Sequence, residues 1–495
     1  MSRQSASKND RINIVGTGIF GLSTALHLAR RGYKHVTVFY KQPYYITQYS
    51  YFNGCDGASA DINKIIRSAY GSQTEYQHLS TEAIASWKQW NSDLEHGVDV
   101  LEGMSSNDRV FIQCGSLNLT DGDALPDFER ATVKNMEEAG HRNTQLVTTE
   151  REHQKIATSK GMGSAMDPFL RSNRGKPNVG VLDSTGGFAI ADKACCLALH
   201  QARNFGARFV LDLIAGAFDS FVTSPNGDTI GITMKDGKQH LAALTIMACG
   251  GWTPSLLPQL DSLCEATAGS VFIYKIPRTS KLGDSLSPKQ FPTWLWKVRD
   301  GVEGGLYGFP RDEEGYLKIG YRGTKYTNPK PQEDGIERSL IKILAQAMQV
   351  VRRFVPEYLP ELEEEGIDVA LTRVCWYTDS FDNHFVIDHV PNKRGLFVTT
   401  GRSGHAFKYL PNIGNWIDDA IEGVGSTRPA IQAWKWRRLE GAKGARALAN
   451  VPLVDTRVTT GRTADDIAFG IKYLKTRDIE CTEPMKRIIG LSAAN

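Results

Sequence analysis

Apolar residues along this chain follow two regular spacings, one typical of strands and one typical of helices. A short apolar run at residues 12–15 precedes a helical pattern at 22–29, and a second apolar run follows at 36–39. Further helical spacing occurs at 81–90, 128–139, 190–204 and 334–354. Further strand-like runs occur at 208–211, 230–234, 244–248, 270–275, 316–321 and 396–400. This pattern predicts a mixed α/β fold with a buried parallel sheet and, over 262–370, an antiparallel second sheet.

The first strand, helix and second strand enclose a glycine-rich turn, Gly16-Thr17-Gly18-Ile19-Phe20-Gly21. Gly16 permits the tight turn, Gly18 lets the backbone approach a pyrophosphate, and Gly21 lets helix and strand pack closely. The helix N-terminus then offers free N–H groups to phosphates. The unit predicts dinucleotide binding, with a purely structural glycine turn as the alternative. Dinucleotide-binding units usually carry an Asp or Glu at the end of the second strand, where it holds the ribose. Here the strand ends in Phe39-Tyr40-Lys41, and that acid is missing.

Composition narrows the classes of function. The chain has 495 residues, 41% of them hydrophobic, and a net charge of +3, which gives no support to a nucleic-acid role. No apolar run reaches transmembrane length, and the N-terminus lacks a signal-peptide core. The eight cysteines show no metal-ligand spacing and are expected to be reduced thiols, mostly buried. We therefore expect a cytoplasmic enzyme of two domains without a metal or membrane partner, a monomer or weak dimer.

A basic pair follows the second predicted strand. Lys64 and Arg67 stand three residues apart, which places them on one face if the segment is helical. A solvated basic edge is the alternative, but ligands gather at this position in nucleotide-binding folds. The preceding residues 44–52 are rich in aromatic side chains.

Three separated stretches resemble the FAD amine oxidases of the monomeric sarcosine oxidase group, within the D-amino-acid-oxidase superfamily. They are the glycine turn, the segment 373–388 that contains Cys375-Trp376, and the segment 401–411 with Ser-Gly-His-Ala-Phe-Lys. Segments 63–65, 186–188 and 433–437 look most like the fructosyl amino acid oxidase (amadoriase) and saccharopine oxidase branch. The resemblance covers residues 10–440. The Cys-Trp and Gly-His-x-Phe-Lys motifs are far more specific than the glycine turn.

The resemblance implies FAD as the cofactor, attached through its 8α carbon to the sulfur of Cys375. A buried structural cysteine is the alternative for that residue. The residues expected to bind the cofactor are Gly16, Gly18, Ile19, Phe20, Gly21, Lys64, Gly250, Trp252, Cys375, Gly401, Ser403, Gly404, His405 and Lys408.

The resemblance also implies roles for side chains at the substrate. Lys408 and Arg67 match the pair that grips a substrate carboxylate, and Arg437 matches a residue near the amadoriase pocket. The residues expected to take part in catalysis are Lys318, Lys64 and His405. Lys318 matches the lysine that activates oxygen, where an ammonium stabilises developing negative charge. An exposed strand lysine and a structural histidine are the alternatives for Lys318 and His405.

The implied reaction oxidises the C–N bond of a secondary-amine amino acid to an imine, with oxygen reduced to hydrogen peroxide. Saccharopine-like or fructosyl amino acids are the expected substrates. The aromatic segment 44–52 leaves open an N-methyl aromatic amino acid, as in fungal alkaloid biosynthesis. A nicotinamide-dependent dehydrogenase would share the glycine turn but leaves Cys375 unexplained, and a non-catalytic flavin-binding scaffold requires Lys408 or Lys318 to be misplaced.

The expected architecture is a Rossmann-like FAD-binding domain and an antiparallel substrate domain, interleaved in sequence. We assign 10–80, 150–260 and 371–440 to the first, and 81–149 and 261–370 to the second. Residues 441–495 form an extension with no predicted role.

Overall fold

A computed structural model describes residues 6–55, 57–260, 263–297, 305–326 and 345–437. It also describes short strand segments at 330–331, 337–338 and 473–474. Within these residues, no helix is both long and apolar enough to cross a lipid bilayer.

The first large sheet has six strands and confirms the predicted Rossmann-like unit. All neighbouring strands are parallel except the first two in spatial order. That order is Val386–His389, Leu396–Thr400, Leu244–Met247, Arg11–Val15, His35–Tyr40 and Arg208–Leu211. The central strands are fully buried, which explains why they read as continuous apolar runs.

Helices cover this sheet, and the closest contact is between Ile19–Arg30 and Ile413–Glu422. A Cβ atom added at Gly414 would lie 2.0 Å from the carbonyl oxygen of Ser23, so only glycine permits this approach. The helix Ala191–Asn204 also packs against the first helix. The glycine turn is thereby held between a rigid sheet and a tightly packed helix.

The second large sheet has nine strands and is antiparallel except at two pairs. The parallel pairs join Thr293–Lys297 to Ser116–Thr120, and Tyr473–Leu474 to Tyr316–Tyr326. The spatial order of the other strands is Val369–Ser380, Cys264–Lys275, Tyr316–Tyr326, Leu306–Gly308, Thr293–Lys297, Ser116–Thr120, Val179–Asp183 and Gln145–Val147. Cys375 lies on the first of these strands, and Lys318 lies on the third.

Smaller elements complete the fold. The small sheets contain Asn63–Ile66 with Gly187–Ile190 and Phe111–Ile112, then Phe218–Thr223 with Thr229–Met234 and Gln239–Leu241, and finally Lys330–Pro331 with Glu337–Arg338. The remaining helices are Tyr44–Thr47, Thr74–Glu95, Asp127–Glu138, Arg151–Ser159, Thr253–Leu256, Leu282–Ser285, Ala345–Tyr358, Pro360–Glu364 and Pro429–Ala433.

Two segments differ from a helical pattern. The basic segment contains a strand, Asn63–Ile66, which pairs with Gly187–Ile190, so the condition that would place Lys64 and Arg67 on one helix face does not hold. Of the helix predicted over 334–354, the described part is Ala345–Tyr358, whereas residues 337–338 form a strand.

Two strands that lie wholly or largely in ranges predicted for the FAD-binding domain pair instead in the second large sheet. Val179–Asp183 and Val369–Ser380 both pair within the nine-stranded sheet. The division into domains stays a prediction.

Candidate active site

A cavity opens where the two large sheets meet the small sheet and the loop after Leu396–Thr400. The predicted site residues in its wall are Ile19, Lys64, Arg67, Lys318, Cys375, Ser403, Gly404, His405 and Lys408. The predicted residues outside its wall are Gly16, Gly18, Phe20, Gly21, Gly250, Trp252, Gly401 and Arg437. The cavity therefore brings together all residues for which catalytic roles were expected.

The glycine turn has the geometry that its spacing predicts. Gly16 has φ +106°, and an added Cβ atom there would lie 2.5 Å from the carbonyl oxygen of Ala248. An added Cβ atom at Gly21 would lie 1.9 Å from the carbonyl oxygen of Gly16. The turn is thus tight, and helix and strand touch through backbone atoms.

The start of the following helix suits a phosphate group. Gly18 precedes the helix Ile19–Arg30, which has neither a side-chain cap nor an acidic residue in its first turn. The hydroxyl of Thr17 is buried without a hydrogen-bond partner. A guanidinium, that of Arg402, lies against Gly18. Free N–H groups, an unpaired hydroxyl and a cation form the donor set that a dinucleotide pyrophosphate requires, so the residues fit FAD.

The end of the second strand offers a different surface from the usual acid. The Tyr40 hydroxyl donates to Oε1 of Gln42 at 2.9 Å. The Lys41 ammonium lies 4.4 Å from the centre of the Trp252 ring. Trp252 thus meets a cation just beyond the second strand while staying outside the cavity wall. A ribose at this strand end would meet a phenol, an amide and an ammonium.

Cys375 is buried in the wall of the cavity. In the sheet it stands opposite Gly269, which has no side chain to cover it. Of the seven cysteines in the described part of the chain, Cys375 is the one that lines the cavity.

Asp61 lies at the centre of a buried group of charges. Its Oδ2 atom is 3.0 Å from Nζ of Lys318 and 2.8 Å from Nζ of Lys64. Its Oδ1 atom is 3.7 Å from Nη1 of Arg373. Lys318 is 1% exposed and also donates to the carbonyl oxygen of Asn63 at 2.6 Å. One carboxylate is therefore shared among three cations.

These charges set each other's ionisation. Burial opposes ionisation of Asp61, but Lys318, Lys64 and Arg373 outweigh it and hold its pKa well below its usual range. Burial lowers the pKa of Lys318 to about 8, while the charge of Asp61 acts in the opposite direction. Asp61 thus favours the ammonium form of Lys318 against the effect of burial.

A second group of side chains is connected by hydrogen bonds through Tyr70. Lys408 donates from Nζ to the Tyr70 hydroxyl at 2.9 Å, and that hydroxyl lies 2.9 Å from Nδ1 of His405. Nε2 of His405 lies 3.1 Å from the carbonyl oxygen of Asn383. A carbonyl only accepts, so Nε2 carries the proton and Nδ1 accepts from Tyr70. His405 thereby fixes the direction of the Tyr70 hydroxyl and the position of Lys408.

Lys408 and Arg67 both lack a carboxylate partner within the described residues. Burial, followed by the charge of Arg67, holds the pKa of Lys408 well below its usual range. Arg67 donates from Nη1 to the carbonyl oxygen of Ala69 at 2.6 Å, and its guanidinium lies 5.4 Å from the Tyr70 ring centre. Two cations thus share one part of the cavity without an anion.

Arg437 lies outside the cavity wall, and its expected role at the substrate stays a prediction. Its Nε and Nη2 atoms donate to the carboxylate of Asp382 at 2.6 and 2.5 Å. Two further bonds of 3.0 Å run to the carbonyl oxygens of His384 and Phe385. These bonds connect Arg437, the last residue of a described range, to the segment 382–385.

Asp61, Tyr70 and Arg402 were not among the predicted site residues. Asp61 and Tyr70 stand in the same segment as Lys64 and Arg67, so proximity to a basic pair was the available signal. Arg402 stands within the glycine motif at 401–404, where a large cation between glycines was visible.

Comparison with known proteins places the chain in a family. The family model described as FAD dependent oxidoreductase matches residues 11–420. L-saccharopine oxidase of Schizosaccharomyces pombe is 26% identical over 86% of this chain and 93% of its own length. N-methyl-L-tryptophan oxidase of Salmonella dublin is 24% identical over 84% of this chain and 95% of its own length. The crystal structure of fructosamine oxidase (Amadoriase II) from Aspergillus fumigatus, in complex with FSA, superposes with a TM-score of 0.69 at 25% identity, covering 96% of this chain and 98% of that one.

Proposed function

This chain is a member of the family of FAD dependent oxidoreductases, and we propose that it oxidises the C–N bond of a secondary-amine amino acid to an imine. The observation that carries the proposal is that Arg67 and Lys408 lie together in the cavity wall while neither has a carboxylate partner within the described residues. A carboxylate bound between them satisfies both charges and fixes one end of the substrate.

The hydrogen bonds behind Lys408 make this clamp rigid. The Tyr70 hydroxyl accepts from Lys408 and donates to His405, whose other nitrogen is held by a backbone carbonyl. An anion that binds beside Lys408 favours its charged form, which burial otherwise disfavours. A carboxylate bound beside Lys408 would therefore raise the pKa of its ammonium.

When bound, FAD supplies the acceptor for the two electrons of the C–N bond and their route to oxygen, which leaves as hydrogen peroxide. Cys375 is proposed to hold it covalently through the 8α carbon. Two observations support that attachment: Cys375 is the cavity cysteine of the described chain, and no side chain stands opposite it on the neighbouring strand.

Lys318 is proposed to act on oxygen. Its ammonium lies in the cavity wall, where a fixed positive charge stabilises the negative charge that oxygen acquires. Asp61 keeps that ammonium protonated despite burial, and the carbonyl oxygen of Asn63 orients it. Lys64 shares Asp61 and adds a second charge to the same group.

The charge of the cavity favours a substrate with more than one anionic or polar group. Within the described residues, its wall contains Lys64, Arg67, Lys318, Arg322, Arg402 and Lys408 and no aspartate or glutamate. A saccharopine-like or fructosyl amino acid matches that wall, in line with the names of two relatives.

An N-methyl aromatic amino acid is the second candidate. Aromatic rings of Phe128, Tyr307, Phe309 and Tyr321 also line the cavity and offer a stacking surface. One relative bears the name of an N-methyl-L-tryptophan oxidase.

The test is a panel of saccharopine, fructosyl-lysine and N-methyl-tryptophan added to the purified protein. Anaerobic bleaching of the yellow chromophore and peroxide release in air are expected with at least one amine. A yellow protein that no amine bleaches is a flavin-binding scaffold, and this result would contradict the proposal. The cytoplasmic location and the monomeric or weakly dimeric state stay predictions.

A further inference from the structure

The guanidinium of Arg402 is buried between two glycine turns. Arg402 is 7% exposed, and an added Cβ atom at Gly18 would lie 2.8 Å from its Nη2 atom. An added Cβ atom at Gly250 would lie 2.6 Å from the same atom. Gly18 opens the first helix, and Gly250 follows the strand Leu244–Met247. Arg402 therefore lies at the carboxyl ends of the central parallel strands, where dinucleotides bind.

This buried cation has no counter-charge within the described residues. Its hydrogen bond runs from Nη1 to Oγ of Ser59 at 3.3 Å, and its Nε atom has no partner. Burial lowers the pKa of Arg402 to about 10, and the nearest groups that raise it are thiols and a phenol. The half-buried Arg437, by contrast, has the carboxylate of Asp382. A buried charge without a partner is costly, which points to a missing anion.

Ser59 connects Arg402 to the start of the first helix. Its Oγ atom accepts from the backbone N–H of Ile19 at 3.2 Å as well as from Arg402. The hydroxyl proton of Ser59 is then free to donate to a third group. The helix start, Ser59 and Arg402 thus present donors in one place.

We propose that Arg402 binds the pyrophosphate of FAD and compensates for the acid that is absent at the ribose. The second strand ends at Tyr40, followed by Lys41, so cofactor recognition in this chain depends on the phosphates more than on the ribose. The proposal rests on FAD as the cofactor of the proposed function, and it is independent of the substrate and of covalent attachment at Cys375.

The experiment uses the full chain with Cys375→Ser, so that FAD is able to dissociate, and compares it with the same chain carrying Arg402→Met. FAD and riboflavin are titrated into each apoprotein, with flavin fluorescence as the readout. Arg402→Met is expected to weaken FAD binding on the order of 10- to 100-fold, the usual size for a charge-assisted hydrogen bond. Riboflavin has no phosphate, and its affinity is expected to change less than twofold. Arg402→Lys keeps the charge but loses the forked arrangement of donors. Its affinity for FAD is expected to lie between those of the parent and of Arg402→Met.

Thermal unfolding separates this role from a structural one. Arg402→Met removes an uncompensated buried charge, so the apoprotein is expected to melt at a higher temperature and to gain less from FAD than its parent. Arg437→Met, the control, breaks the ion pair with Asp382. It is expected to lower the melting temperature both with and without FAD. Equal loss of FAD and riboflavin affinity, or an apoprotein destabilised as in the control, would overturn the proposal. If the parent chain binds neither flavin, the proposed function itself is wrong.

Discussion

Asp61→Asn tests how this protein keeps a buried ammonium charged. The substitution removes one negative charge and keeps the shape of the side chain and an acceptor oxygen. Lys318 and Lys64 then face an amide at 3.0 and 2.8 Å where the wild type has a carboxylate. Lys318 retains its bond to the carbonyl oxygen of Asn63, so its position is expected to change little.

The magnitude follows from the distance. Two unit charges 3.0 Å apart interact by about 5 kcal/mol at an effective dielectric constant of about 20. One pKa unit corresponds to 1.36 kcal/mol, so loss of this interaction would lower the pKa of Lys318 by roughly four. In the wild type, burial lowers the pKa of Lys318 to about 8. Even half of the calculated effect leaves the amine mostly neutral at pH 7.5.

The assay is stopped-flow reoxidation of the substrate-reduced enzyme by oxygen across pH. An ammonium is present below its pKa, so the wild-type rate is expected to be constant at low pH and to fall as pH rises through about 8. In Asp61→Asn the fall is expected at a more acidic pH, with a loss on the order of 10²-fold at pH 7.5. Anaerobic reduction by substrate is expected to change far less.

The matched control is Asp388→Asn. Asp388 is also buried, but its carboxylate accepts backbone N–H groups of His389 and Trp436 and lies outside the cavity wall. The reoxidation rate of Asp388→Asn is expected to depend on pH with the same midpoint as the wild type. An unchanged midpoint in Asp61→Asn, or equal slowing of both half-reactions, would refute the reasoning.

Four further substitutions test the proposed roles. Cys375→Ser is expected to release FAD into the supernatant on acid precipitation, whereas the wild-type pellet stays yellow; a white wild-type pellet would contradict covalent attachment. Lys318→Met is expected to slow reoxidation on the order of 10²-fold or more with little effect on reduction, and slowing of reduction alone would give Lys318 another role. Lys408→Met or Arg67→Met is expected to weaken binding of a carboxylate inhibitor such as methylthioacetate by a few kcal/mol, and equal affinities would exclude the clamp.

The sequence predicted those parts of the fold that depend on local pattern. The apolar run before Gly16 and the helix after it are found where spacing placed them, because buried strands and glycine turns leave strong local signals. The form of the segment after Asp61 was left open, with a helix only as a condition for placing Lys64 and Arg67 on one face. Its extended form is set by pairing with Gly187–Ile190, and such distant partners leave no periodic signal of their own.

The same limit applies to the site. Lys318 and Lys64 were expected from motifs, but Asp61, which joins them, acts only after three distant segments meet. Arg437 shows the converse. Its motif suggested a ligand, and the carboxylate of Asp382 in the folded chain uses the donors that a ligand would need.

The partners of these cations therefore distinguish their proposed functions better than burial does. Arg437 bonds to a carboxylate and to backbone carbonyls. Lys318 shares one carboxylate with other cations, and burial lowers its pKa to about 8, which suits its proposed role of stabilising transient negative charge. Arg402 and Lys408 lack a carboxylate partner within the described residues and line the cavity. Their charge is balanced only when anions enter, so the cofactor and the substrate complete the electrostatics of the fold as well as its chemistry.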